Sequence, residues 1–217
     1  MHPRIRPPEG GTPNVAGKRV NRKSQIVNLM IKPWPKTGST PLGDFRVFKL
    51  RSDRRVSPRT GAEHDFFVLE SANWVNVIAL TPDRQLVMIE QFRHGSEKVE
   101  LEIPGGLMDA GELPAAAAIR ELREETGYEG GQARVLGRIS PNPALMSNTC
   151  FTVLIEDCRC THPVEFDSGE DLLTRLVPAD DAPRLVAEGK IGHSLVVVAL
   201  YYFDLWRGGL KQTETLP

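Results

Sequence analysis

Residues 106 to 128 read GLMDAGELPAAAAIRELREETGY, and the reading of this stretch decides the fold. Pro114 suits the first turn of a helix, the alanines and Leu122 favour helix, and Gly127 is a natural left-handed stop just past the end. The spacing therefore predicts a helix from Pro114 to Thr126. At roughly 100° per residue, Ala115, Ala118, Ile119 and Leu122 share one face, expected to be core, while Arg120, Glu121, Glu124 and Glu125 crowd another, which is charged. Carboxylates at i, i+3 and i+4 repel one another, and these sit in the last turns, where the helix dipole prefers cations. Two readings fit the helix alone. One is a solvated acidic face, its repulsion partly offset by Arg120 and Arg123. The other is a site for a hard divalent cation held by oxygen ligands, Mg²⁺ being the usual choice beside phosphates. The preceding Ile103-Pro104-Gly105-Gly106 and Asp109-Ala110-Gly111-Glu112 favour the second, because glycines let the backbone approach a ligand closely.

Outward from this stretch, 217 residues with a net charge of −1 and 40% hydrophobic content describe a chain able to bury a core. No apolar run approaches the roughly 18 residues of a membrane span, so no membrane partner is expected. The near-neutral total hides a basic start, with Arg4, Arg6, Lys18, Arg19, Arg22, Lys23, Lys32 and Lys36 set against Glu9 alone before residue 37. Rich in Pro and Gly and poor in apolar residues before Ile26, residues 1 to 42 read as a flexible arm, with a phosphate-seeking tail as the alternative. Nucleic acid is not an expected partner. A transit peptide finds little support, since serine is scarce, and no apolar signal-peptide core is recognised. Three cysteines, Cys150, Cys158 and Cys160, suit a reducing cytoplasm better than a disulfide scaffold. Cys158, Cys160 and His162 alternate at period two, but soft-metal sites usually need paired ligands and a fourth partner, so free thiols are the expectation.

From Phe45 the chain turns to strand-like runs: Phe45 to Leu50, Phe66 to Glu70, Val75 to Thr81, Gln85 to Arg93 and Val99 to Glu102. They read as an antiparallel meander, with Pro82-Asp83-Arg84 turning a hairpin. Further strands follow near 132–140, 149–156 and 172–177, then two helices, the second from His193 to Trp206 and mostly apolar. Few helices among many strands predict an α/β fold with a mixed sheet packed between helices. The segment 43–71 holds N-terminal strands too few to bury their own apolar alternation, which predicts a homodimer formed through them, and 72–217 is the main domain.

Gly106, Glu112, Arg120-Glu121-Leu122, Glu124-Glu125 and Gly127 also stand at the spacing of a known motif: the stretch resembles the Nudix box at every fixed position, with Tyr128 in its closing hydrophobic place. The resemblance covers roughly residues 72 to 206 and implies an α/β/α sandwich with a mixed sheet. Gln91-Phe92-Arg93, Leu101-Glu102-Ile103-Pro104-Gly105, Pro143 and Glu188-Gly189-Lys190-Ile191 further resemble the ADP-ribose pyrophosphatase branch. The segment 140–148 departs from it, lacking the Gly-rich form usual there. Carried over position by position, the resemblance implies Glu121 and Glu125 as main ligands of Mg²⁺, with Mn²⁺ as a substitute, Glu124 helping and the Gly105 carbonyl completing the shell. Glu112 and Arg120 would brace loop against helix. Within the acidic loop 165–171, Glu170 is the first choice to orient the attacking water.

Outside the box, Arg93 suits an anionic substrate through its bidentate geometry, Gly105 and Gly106 line the approach, and Trp74 or Phe45 could stack on a base. The bland alternatives are solvent-facing strand residues and core aromatics. The implied reaction is hydrolysis of the pyrophosphate bond in a nucleoside diphosphate linked to a sugar, ADP-ribose giving AMP and ribose 5-phosphate. Another nucleotide sugar, a dinucleotide, or a non-catalytic nucleotide-binding module are the alternatives.

Overall fold

Val75, Val77, Ile78 and Ala79 are all inaccessible to solvent, so the strand that carries them has two apolar faces and needs cover on both. The computed structural model, which describes residues 30–166, 169 and 171–210, supplies that cover from opposite sides. In chain order the strands are β1 (Lys36–Asp44), β2 (Lys49–Val56), β3 (Glu63–Glu70), β4 (Trp74–Ala79), β5 (Gln85–Arg93), β6 (Lys98–Glu102) and β7 (Gly105–Leu107). Helix α1 (Pro114–Thr126) follows, then β8 (Tyr128–Glu129), β9 (Arg134–Ile139), β10 (Cys150–Ile155), β11 (Arg159–Cys160) and β12 (Leu172–Pro178), and finally α2 (Ala182–Ala187) and α3 (Ser194–Arg207). The central sheet has the order β7-β4-β10-β9 and is mixed, β10 running parallel to β4 and antiparallel to β9.

One face of that sheet, through Val75, Val77, Ala79, Val153 and Ile155, packs on Ala117, Ala118 and Leu122 of α1. The other, through Ile78 and Leu154, packs on Leu185 of α2 and on Val196, Ala199, Leu200 and Phe203 of α3. The architecture is the α/β/α sandwich expected, with a second sheet of order β12-β5-β6 beside it. Among the described residues no helix is long and apolar enough to cross a membrane.

Three sequence expectations need correcting. The turn at 82–84 is present, with Arg84 at φ 58° and its N–H donating to the Thr81 carbonyl at 2.9 Å. It does not make a regular hairpin, because β4 and β5 share only the Leu80–Leu86 bridge before diverging into separate sheets. Both strands are apolar on both faces, the mark of central strands rather than of a half-solvated meander.

Of the expected strand Phe45 to Leu50, only Lys49 and Leu50 are extended, as the opening of β2; Phe45 to Phe48 are a turn. The chain reverses there between β1 and β2, with Arg46 at φ 68° and the Phe45 N–H donating to the Phe48 carbonyl at 2.9 Å. Strand β1 accordingly begins at Lys36, inside the stretch read as an arm to residue 42, and compactness divides the chain at 33/34. Residues 1–29 of that arm lie outside the described residues. Strand β1, KTGSTPLGD, has no apolar alternation to betray it; what holds it is polar. Fully buried Asp53 accepts from Ser39 Oγ at 2.7 Å and from Arg51 Nε at 3.0 Å, with Lys36 Nζ 3.8 Å away. The Ser39 hydroxyl, then the Arg51 guanidinium, hold the Asp53 carboxyl down to about 2 against the cost of its burial.

The third correction concerns which face of α1 is inward. Ala117 and Ala118 are buried with Leu122, whereas Ile119 is 46% exposed, and Glu121 and Glu125 are only 8% and 4% exposed. The helix is turned so that two of its carboxylates, rather than Ile119, face the protein.

Candidate active site

Helix α1 starts at Pro114 without a side-chain cap and stops at Gly127, whose φ of 70° only glycine adopts freely and whose N–H donates to the Arg123 carbonyl at 2.8 Å. Strand β7 runs beside it, antiparallel to β4, with Val75 opposite Gly106 and Asn76 opposite Gly105. Both glycines are forced by close approach. A Cβ on Gly105 would stand 2.2 Å from the Val75 carbonyl oxygen, and one on Gly106 would stand 2.5 Å from Glu121 Oε1. The Gly105 N–H donates to Glu125 Oε2 at 3.0 Å, fixing that carboxylate against the loop. Such a bond to a carboxylate is about twice as strong as one between neutral groups.

Arg120 organises the rest. Its Nε and Nη2 donate to the two oxygens of Glu112 at 3.1 and 3.0 Å, Nη2 also reaches the Leu107 carbonyl at 2.9 Å, and Glu112 takes the Asp109 N–H at 2.9 Å. Glu112 and Arg120 thus tie the loop to the helix. The guanidinium holds the Glu112 carboxyl below the usual range, and Glu112 in turn raises the Arg120 pKa. Arg120 Nη1 donates to Glu121 Oε1 at 2.8 Å and to Glu124 Oε2 at 3.1 Å, which offsets part of the like-charge repulsion on this face.

The donor set fits a hard divalent cation in kind: three carboxylates at one turn's spacing, beside a glycine backbone that leaves room where a Cβ would press on Glu121. As oriented, the carboxylates serve Arg120 and the Gly105 N–H, and among the described residues no three His, Cys, Asp or Glu side chains converge on one cation position. Cys158, Cys160 and His162 form no such group either: Cys158 is buried, Cys160 exposed, and His162 Nε2 lies 2.9 Å from Glu129 Oε2. Burial pushes the Cys158 thiol up to about 12.

A cleft of about 810 Å³ opens on Gly105 and Gly106. Trp74 and Arg93 line it with them, so all four residues singled out for substrate contact border one space. Phe45 does not line it; the neighbouring Phe48 does, its ring tilted by 30° to that of Phe45 with centroids 5.1 Å apart. Leu69 from β3 and Met146 from the segment 140–148 add apolar wall. Glu170 lies outside the described residues; the start of its loop is joined to the helix, the Glu165 N–H donating to the Glu124 carbonyl at 2.8 Å.

Sequence reasoning gave no role to Glu102. Only 2% exposed, it accepts from Arg93 Nε and Nη2 at 2.7 Å each, a bidentate clamp that sets the direction of the guanidinium. The signal was available in principle, since Glu102 stands between Leu101 and Ile103 where β6 enters the core, and a buried acid needs a partner.

A family model described as the NUDIX domain matches residues 71–197. A methanol dehydrogenase activator from Bacillus methanolicus is 31% identical over 161 residues, covering 74% of this chain and 86% of that protein. An ADP-ribose pyrophosphatase from Bacillus subtilis is 30% identical over 132 residues, covering 60% and 71% respectively. Among solved structures, an ADP compounds hydrolase superposes with a TM-score of 0.73 at 23% identity over 83% of this chain and 97% of that one, a likeness of fold. With the domain match spanning the glycine loop, the acidic helix and the cleft residues Trp74 and Arg93 together, this chain belongs to the Nudix family and is a Nudix hydrolase.

Proposed function

We propose that the protein hydrolyses, with Mg²⁺, the pyrophosphate bond of a nucleoside diphosphate linked to a sugar, with ADP-ribose giving AMP and ribose 5-phosphate as the first choice. The observation that carries this reading is the single cleft bordered by Arg93, Trp74, Gly105 and Gly106 next to the acidic face of α1. The relative named an ADP-ribose pyrophosphatase supports it. Nudix enzymes use divalent metal ions; Glu121 and Glu125 would be the main ligands here, with Glu124 and the Gly105 carbonyl. Bound there, the ion supplies charge neutralisation of the diphosphate and lowers the pKa of a water.

The chain's own residues do the rest. Gly105 and Gly106 border the cleft and would present backbone to the diphosphate, and the missing Cβ at Gly106 leaves the Glu121 carboxylate its place beside it. Arg93, aimed by Glu102, presents its guanidinium on the cleft wall for a phosphate. Trp74 presents an aromatic surface for the base, and Glu170 remains our choice to orient the water. The alternative substrate is another nucleotide sugar or a dinucleotide, favoured by the segment 140–148, which lacks glycine. Three free cysteines support a reducing cytoplasm.

The same reading includes a homodimer through the N-terminal strands, where Phe67 of β3 and Phe45 and Val47 of the β1–β2 turn are 58%, 52% and 61% exposed. Sedimentation of the full chain as a monomer at micromolar concentration would exclude it. The test of function is a panel of diphosphates with Mg²⁺ titration. Cleavage of nucleoside diphosphate sugars, with nucleoside monophosphates untouched, is expected; rapid turnover of triphosphates alone would reject the substrate class.

A further inference from the structure

His193, which none of the roles above uses, stands on the cleft wall immediately before α3, on extended backbone. Among the described residues its Nδ1 is screened from solvent without a hydrogen-bond partner, and it lies 3.9 Å from Glu102 Oε2, about 1 Å beyond hydrogen-bond length. Glu102 is the same buried acid that clamps Arg93. Arg93, Glu102 and His193 therefore form a row of cation, carboxylate and imidazole along one wall. Among the described residues, the other charged group lining the cleft is Glu100, which accepts from Ser96 Oγ at 3.0 Å.

The charge balance of this row decides what the imidazole does. Both oxygens of Glu102 already accept from the Arg93 guanidinium. A bound anion adds a second negative charge, and the ring is then the group placed to answer it. The side chain is 35% exposed, and with Nδ1 turned inward, Nε2 is the nitrogen left to meet a ligand.

We propose that His193 is a proton-linked positioning residue for phosphate. When a phosphate-bearing ligand enters, the ring takes one proton from solvent, Nδ1–H closes on Glu102, and Nε2–H donates to the phosphate across from Arg93. The proton is released when the ligand leaves. This rests on reading the cleft as the diphosphate site.

The experiment is calorimetric binding of ADP-ribose without divalent ions, so that no turnover occurs, with sulfate as a second probe. Neither anion titrates near neutrality, so proton uptake measured in two buffers of different ionisation enthalpy belongs to the protein. Wild type is expected to take up a fraction of a proton at pH 7.5 and to lose affinity by up to about tenfold per pH unit above the imidazole range. His193→Gln, checked for an unchanged Tm, should show no uptake, a flat pH profile and at least about fivefold weaker binding at pH 6.5. If that variant does not fold, the wild-type imidazole signal followed by NMR serves, its titration midpoint rising by about one pH unit on anion addition. Unaltered uptake in His193→Gln, a stationary NMR midpoint, or no binding of either anion to wild type overturns the proposal. Wild-type turnover of a diphosphate sugar with such a negative result would sink this inference alone. Conversely, His193-linked sulfate binding without turnover of any diphosphate would sink the functional reading alone.

Discussion

Adding one methyl group at each of the two adjacent glycines of β7 should separate folding from chemistry. In Gly105→Ala the new Cβ meets the Val75 carbonyl at 2.2 Å, more than 1 Å inside the 3.4 Å where ordinary contact begins. That oxygen is backbone in the β4 to β7 pairing and cannot swing aside, so β7 must shift bodily. Overpacking of this kind costs roughly 3 kcal/mol at the upper end of its range, or about 6–12 °C in Tm for a domain of this size. In Gly106→Ala the Cβ meets Glu121 Oε1 at 2.5 Å, the end of a side chain that can move. It cannot move freely, being 8% exposed and held by Arg120 at 2.8 Å. A displacement of roughly 0.9 Å is needed, and misplacing a reacting group by about 1 Å costs about 10² in rate. Urea unfolding and kcat on a nucleoside diphosphate sugar at saturating Mg²⁺, measured on both variants, check the pair. Gly106→Ala with wild-type kcat, or Gly105→Ala with wild-type stability, would refute this reading of the loop.

Glu121→Gln and Glu125→Gln should each lower kcat by about 10² or more while leaving the metal-free fold intact, measured by steady-state kinetics beside thermal melts; near-normal rates at limiting Mg²⁺ would remove them from the ligand set. Arg93→Ala should cost roughly 1.5–3 kcal/mol in kcat/KM, and also about 2 kcal/mol of stability, because it strands buried Glu102. Adding Glu102→Gln should restore the stability and not the rate, a separation that double-variant melts and kinetics would reveal or deny. Asp53, with a folded pKa of about 2 against an ordinary 3.8, contributes stability that is fully present above pH 4 and lost as pH falls toward 2. The Tm gap between wild type and Asp53→Asn should therefore close on acidification from pH 5 to 2, and a gap independent of pH would contradict the pairing.

What could be read from the sequence follows the kind of force involved. Helix α1 was legible to the residue because its start, its stop and its charge pattern are all local: Pro114, Gly127 and the run from Arg120 to Glu125. Its rotation was not, since periodicity counts Ile119 as core and cannot know that Glu121 and Glu125 turn inward toward Gly105 and Gly106. The 82–84 turn was legible and its consequence was not. Whether two apolar strands joined by a tight turn pair or diverge depends on partners far away in the chain, here β10 for β4 and β12 for β5. Strand β1 escaped notice for a third reason: its anchor is the Ser39, Arg51, Arg55 and Lys36 cluster around Asp53, a set assembled only by the β1–β2 register. Glu102 and His193 likewise become a pair only when the residues before α3 meet the end of β6.

Substrate selectivity, on the function proposed, has to arise outside α1, because the helix offers the same carboxylates to any diphosphate. Two segments supply the apolar wall, and they are not independent. The Leu69 N–H donates to the Leu145 carbonyl at 2.8 Å, and the Ser147 N–H donates to the Leu69 carbonyl at 3.1 Å, making Leu69 and Met146 partners in a parallel bridge. Both side chains line the cleft. Because the bonds that join β3 to the segment 140–148 are backbone bonds, side-chain replacements at 69 and 146 can change the wall's chemistry without moving it. A proline at 147 would remove the Ser147 donor and move the wall without changing its chemistry. Position is therefore set by backbone atoms of Leu69, Leu145 and Ser147 and wall chemistry by the side chains of Leu69 and Met146, which lets the N-terminal sheet shape a site whose reacting groups lie on another element.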